Sequence, residues 1–201
     1  MSKQNKKILG ITGTIGSGKS TIGKLLENHG CKNIEVDQVG HRFLTDPRIV
    51  SQLVTTFGEE IKGSNGEIDR QKLGKIVFSS AESLRKLDSI MHPPMKLETE
   101  RIIAEEMKKD IRGIVVNAAL LFRMKLDSLC DKIVYVTAGS DVRTDRLVKN
   151  RGISKESAEI RISAQDPDPG NSEKVIYYNN NGSVEELSRW VESDLLPFFQ
   201  T

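Results

Sequence analysis

Gly13-Thr14-Ile15-Gly16-Ser17-Gly18-Lys19-Ser20 has the spacing G-x-x-x-x-G-K-S, and residues so spaced can do one kind of chemistry: they cradle a polyphosphate. Gly13, Gly16 and Gly18 allow turns and close approaches that a Cβ would block. Lys19 has the reach and charge to meet β- and γ-phosphates, and the Ser20 hydroxyl can ligate Mg²⁺. Thr14, Ile15, Ser17 and Thr21 complete the loop and its exit, adding backbone N–H groups. The flanks agree with this reading. Residues 7–12 form a short apolar run that reads as a buried strand, and residues 21–28, with Ile22, Leu25 and Leu26 on one side, read as an amphipathic helix. A strand that turns through glycines into a helix aims a row of N–H groups and the positive end of a helix dipole at one spot. A chance match in a random chain of this length arises on the order of once in a hundred times. The flanking elements argue against chance here.

Phosphoryl transfer also needs a group that orients an incoming hydroxyl and accepts its proton. Residues 33–36 read as a second strand ending at Asp37, and open α/β sheets bind ligands beyond the carboxyl ends of their strands. Asp37 can therefore face a γ-phosphate, or it can cap a helix starting near Gln38. His41 follows by four positions and shares its helical face, as a substrate contact or a polar surface residue. Arg70 can meet a substrate phosphate or form an ion pair near Asp69. His92, just before Pro93, is either a residue at a helix start or a substrate ligand. Arg146 and Arg151 are candidates to approach the phosphates of a bound nucleotide from the polar segment that follows, with Gly152 as a hinge. Alternatively, they complement the negative end of a helix.

The elements that position these residues alternate between strand and helix, which implies a parallel sheet covered on both faces. After the second strand comes a stretch without strands. Helical segments are expected at residues 52–57, 69–78, 81–91 and 97–108, with a break at Pro93-Pro94. Strands resume at 113–116 and 132–136, a helix follows over 141–149, and a last strand and helix fall at 174–178 and 184–196. The fold class is α/β: a three-layer α/β/α core with a parallel sheet, a helical insertion and a small lid. The core is expected from residues 1–37 and 111–201, and an acceptor-binding insertion from 38–110. Residues 150–171, too polar and irregular for a core element, are expected to form the lid.

Composition narrows the function classes. Lys and Arg total 30 against 28 Asp and Glu in 201 residues, so no basic excess points to nucleic acid. No apolar stretch is long enough to span a membrane, and the polar amino terminus leads straight into the first strand, so a cytosolic protein is expected. Cys31 and Cys130 have no metal-type spacing and read as small buried hydrophobes rather than a disulfide.

Taken in order, these segments resemble the dephospho-CoA kinase family over most of the chain. Thr12 to Thr21 is similar to that family's TGxIGSGKST, and Ile34-Glu35-Val36-Asp37 stands at its IDAD-like segment. Phe57-Gly58, Gly66 to Arg70, Leu73 and Val77-Phe78 resemble its FG…DGxIDRxxLxxxVF run. Leu87 with His92-Pro93, then Ala119 to Phe122, and Arg161 with Gln165, resemble LExIxHP, PLLFE and RIxxQ.

The resemblance implies a P-loop kinase fold and transfer of the γ-phosphoryl of ATP, with Mg²⁺, to the ribose 3′-hydroxyl of dephospho-CoA. It also implies Asp37 as base and Lys19 as phosphate ligand. Several positions depart from the pattern. Asn117 stands where an acidic residue is usual, Ala119 replaces Pro and Arg123 replaces Glu. Asn150-Arg151-Gly152 replaces Arg-Asn-Gly, and Glu173-Lys174 stands where Ala-Asp is usual. Two other readings remain: a P-loop kinase for a nucleoside, nucleotide or shikimate-like hydroxyl, and a nucleotide switch without an acceptor. A guanine-reading Asn-Lys-x-Asp is missing, which weighs against the switch. A relative that binds ATP but turns over slowly is also compatible with the departures.

Overall fold

In the computed structural model, which describes residues 6–163 and 173–200, β1 (Ile8–Gly13) is the middle strand of five. It pairs in parallel with β3 (Ile114–Asn117) on one side and β4 (Lys132–Thr137) on the other. β2 (Lys32–Glu35) adds to β3 and β5 (Val175–Asn179) to β4, giving the order β2-β3-β1-β4-β5 with every pair parallel. The three central strands are near-continuous apolar runs because both faces are covered. Leu9, Ile11, Ile114, Val115, Val116, Val134 and Val136 are all fully buried. β5, at the sheet edge, is half-exposed.

The chain divides into two units, one of residues 1–35 and 103–201 and one of residues 36–102. In the first, α1 (Lys19–Asn28) buries Ile22 and Leu26 against Leu9, Ile11 and Val134 of the sheet. The core also takes in Leu187 of the carboxyl-terminal helix Val184–Trp190 and Val191, Leu195 and Leu196 beyond it. That helix begins in a reciprocal capping box, Ser183 with Glu186. Trp190 stacks on Tyr178 of β5, with ring centroids 3.7 Å apart. Cys31 and Cys130 are both buried and free.

The second unit holds α2 (Val36–Phe43), α3 (Pro47–Phe57), α4 (Arg70–Val77) and most of α5 (Ala81–Glu106). The Asp46 and Asp69 carboxylates cap α3 and α4, accepting from the backbone N–H groups of Arg48 and of Gln71 and Lys72. These backbone donors, with the Arg48 side chain first at Asp46, hold both carboxyls below the usual carboxylate range. α6 (Ser140–Arg151) and α7 (Lys155–Ser163) belong to the first unit, and the Val184–Trp190 helix is α8.

Three expectations are corrected. β2 stops at Glu35 and Asp37 lies in the first turn of α2. Val36, Val39, Gly40 and Phe43 recur at helical spacing and the first three are buried, so helical periodicity overrides the strand preference of Val36. The break at Pro93-Pro94 does not occur: α5 is one helix of 26 residues. The segment after α6 is not wholly irregular, since α7 lies within it.

Candidate active site

The phosphate loop leaves β1 at Gly13, whose φ of 130° lies in the region that favours glycine. A Cβ there would also stand 2.0 Å from the Val136 carbonyl oxygen. That contact is made by the backbone itself, because Thr14 N donates to Val136 O at 3.0 Å. The turn is closed by Ser17 N on Thr14 O at 3.3 Å, and Gly18 O receives Thr21 N and Ile22 N at 3.0 and 3.1 Å as α1 begins. No acidic residue lies in the first turn of α1, so its positive end is not neutralised by its own side chains. The Lys19 ammonium arches over the loop and donates to Gly13 O at 2.9 Å and Thr14 O at 2.8 Å. The Thr14 and Ser17 hydroxyls are buried without a hydrogen-bond partner among the described residues. Ser20, on the exposed side of the first turn of α1, is the one hydroxyl of the motif open to solvent. The arrangement can bind a polyanion through main-chain N–H groups and one mobile cation.

Mg²⁺ in phosphoryl-transfer sites takes one or two protein oxygens and completes its shell with substrate phosphates and water. Ser20 fits that requirement. Among the described residues no three His, Cys, Asp or Glu side chains gather as a closed metal cage.

Arg146, on α6, lies against the loop. Its Nη1 donates to Asn180 O at 2.9 Å and reaches Ser17 O at 3.5 Å, and its Nη2 donates to Gly182 O at 3.1 Å. Asn180 closes the same corner, its Nδ2 donating to Ser17 O at 2.8 Å. Sequence reasoning missed Asn180. The signal for it was the polar run Asn180-Asn181-Gly182 immediately after the last strand, at the carboxyl edge of the sheet where ligands bind.

Asn117 is buried at the carboxyl end of β3, in register with Glu35 of β2. Its Nδ2 donates to Glu35 Oε1 at 2.9 Å, and Asn33 Nδ2 donates to the same oxygen at 2.9 Å. The carboxylate at this edge therefore belongs to Glu35, with two amides orienting it.

In the second unit, Asp37 and His41 are both exposed, one turn apart on α2, while Val36, Val39 and Gly40 face inward. Gly40 lies against α5, where a Cβ would come within 2.8 Å of the Met95 methyl. Arg70 is the exposed first residue of α4. His92, within α5 rather than at a helix start, is half-buried and pairs with Asp88 one turn earlier at 3.3 Å. The Arg151 side chain and Gln165 lie outside the described residues, as does most of the lid segment's second half. Phosphate-loop residues and Arg146 are thus gathered in one unit, and Asp37, His41, Arg70 and His92 are carried by the helices of the other. No helix among the described residues is long and apolar enough to cross a membrane.

Known proteins resemble this chain over most of its length. The family model described as dephospho-CoA kinase matches residues 7–186. A dephospho-CoA kinase from Carboxydothermus hydrogenoformans is 39% identical over 183 residues, covering 89% of this chain and 87% of that protein. Among solved structures, a Thermus thermophilus protein superimposes with a TM-score of 0.78 at 27% identity, covering 96% of this chain and 98% of that one. A dephospho-CoA kinase from Campylobacter jejuni shares the fold, with a TM-score of 0.63 at 20% identity over 96% of this chain and 97% of its own. The departures at Asn117, Asn150 and Arg123 do not disturb that likeness, and the chain belongs to the dephospho-CoA kinase family.

Proposed function

We propose that Lys19 and Asp37 carry the chemistry of the family's reaction in this chain. That reaction is ATP-dependent phosphorylation of dephospho-CoA in coenzyme A biosynthesis. The loop N–H groups hold the β- and γ-phosphates, and Lys19 exchanges two neutral carbonyl acceptors for anionic phosphate oxygens, a gain in hydrogen-bond strength. As the γ-phosphoryl moves, charge spreads over its equatorial oxygens, and donors already aimed there stabilise it without reorganising. Asp37 orients the ribose 3′-hydroxyl of the acceptor and takes its proton as the new P–O bond forms and the bond to ADP breaks. Ser20 would hold Mg²⁺, which would supply charge neutralisation to the reacting phosphates.

Residues 38–110 supply the acceptor site in this reading, with His41, Arg70 and His92 contacting the acceptor. Arg146 and Arg151 serve the ATP phosphates, and residues 150–171 close over them. The observation that carries the reading is the Lys19 ammonium folded over its own loop at the uncompensated end of α1. A coupled assay tests it: Mg-ATP should yield ADP only when dephospho-CoA is present, with CoA as product. ADP release without acceptor, or only with a nucleoside, would overturn it.

A further inference from the structure

We propose that Asn180 is a positioning residue for phosphoryl transfer: its buried amide fixes the Ser17–Gly18 peptide and so aims the phosphate loop at the nucleotide. Asn180 is 3% exposed, and its Nδ2 donates to Ser17 O at 2.8 Å from a point 163 residues away in sequence. A trans peptide is planar, with its C=O and N–H pointing opposite ways. Holding Ser17 O towards Asn180 therefore turns the Gly18 N–H to the other side of the strand of loop. Successive N–H groups turned the same way are what make such a loop an anion-binding concavity.

Gly18 fits this arrangement. Its φ is 101°, and a Cβ on it would stand 2.4 Å from Asn180 Nδ2. The space left by that glycine is the space the amide fills. Asn180 is itself held firmly. Its N–H donates to Thr137 O at 2.8 Å, and its carbonyl accepts from Arg146 Nη1 at 2.9 Å. The guanidinium also ties down Gly182 O at 3.1 Å. The segment after β5, α6 and the phosphate loop thus share one hydrogen-bonded corner, all within the first unit.

Burying an amide costs free energy unless its polar atoms are bonded. Asn180 Oδ1 is buried without a hydrogen-bond partner among the described residues. An apolar side chain would fill the corner at lower cost, so packing does not account for the amide. The hydrogen bond to Ser17 does.

The proposal rests on ATP being the nucleotide, and titration of the wild-type protein with Mg-ATP is the control. No binding there removes that reading. Wild-type binding with an unaffected variant removes only the proposal about Asn180. Asn180→Asp keeps the shape and loses the donor. It should weaken Mg-ATP binding about tenfold by calorimetry and raise the KM for ATP in step. The KM for dephospho-CoA should stay within about twofold, and the Gly18 amide resonance should shift in the nucleotide-free protein. If Asn180→Asp does not fold, Asn180→Ser, whose hydroxyl is too short to reach Ser17 O, carries the same expectation. Mg-ATP affinity within about twofold of wild type in a folded variant overturns the proposal. So does equal weakening of both substrates, or failure of both variants to fold, since the residue would then be structural.

Discussion

Lys19 donates to Gly13 O and Thr14 O, and in the proposed reading bound phosphate takes the place of these carbonyls. Its charge is then the only side-chain cation within the motif itself. Lys19→Met keeps most of the aliphatic stem and removes the charge. Turnover should fall by roughly 10²–10³, the cost of losing one preorganised donor at a developing charge, while the melting temperature stays within a few degrees. Steady-state rates at saturating ATP measure the first quantity and calorimetry the second. Asp37 differs in kind. It is exposed on α2, and its proposed task is to receive a proton rather than to bind phosphate. Asp37→Asn should leave the Mg-ATP dissociation constant unchanged and lower kcat by roughly 10²–10⁴. Near-wild-type turnover in that variant would remove Asp37 from the chemistry. Asn117, which departs from the family pattern, donates its amide to Glu35, so the edge of the sheet still carries an oriented carboxylate. A neighbour in sequence could not have indicated that. The partner lies 82 residues away and meets Asn117 only through strand pairing.

At the scale of elements, the two prolines of α5 show where local rules yield. Each interior proline costs a helix about 3 kcal/mol, which is why a break is expected there. Met91, Met95, Thr99 and Ile103 recur four apart and are all buried. Burying a large apolar side chain is worth about 1.5–3 kcal/mol, so one continuous stripe offsets two missing N–H groups. The phosphate loop, α1 and all five strands were legible in sequence because glycine spacing and apolar runs are local signals. The start of α2 was not, because Val36 suits a strand as well as a helix, and its burial within the fold decides. Asn180 was not legible either, since its partner Ser17 is distant in the chain. α2 carries Asp37 and His41 and rests on α5 through the Gly40–Met95 approach. Gly40→Ala should be mild, because the Met95 methyl is the end of a flexible side chain. Gly40→Leu needs far more room and should displace α2. It should lower kcat about tenfold or more with the Mg-ATP dissociation constant unchanged, read by steady-state kinetics beside calorimetry. Weakened ATP binding would show that α2 does not act on the acceptor side alone.

At the scale of the whole molecule, one parallel sheet supplies both the loop after β1 and the carboxyl edge occupied by Glu35, Asn117 and Asn180. Folding of that unit is linked to pH through two thiols buried in it. Burial pushes Cys31 up from 9.0 to about 11 despite Arg112, and pushes Cys130 up from 9.0 to about 12, with Asp127 and Asp131 adding to the effect. A thiol with a raised folded pKa contributes its full stability below the unfolded value of 9.0. Above that pH the unfolded chain loses the proton first, so the unfolded state gains and stability falls until the folded thiol titrates as well. For Cys130 the loss should reach roughly 1 kcal/mol by pH 10. Tyr178 is pushed up by burial and then by Glu186 and Asp194, so it adds to the decline in the same direction as the pH nears its unfolded value. Urea unfolding between pH 8 and pH 10 should therefore show a declining midpoint. A Cys31→Ala/Cys130→Ala protein should be less stable at pH 7, through the cavities left, but should decline less over the same interval. Equal slopes in the two proteins would show that other groups set the alkaline limit. Rapid reaction of either thiol with a disulfide reagent in the native protein at pH 8 would show that the folded core does not keep them protonated and out of reach.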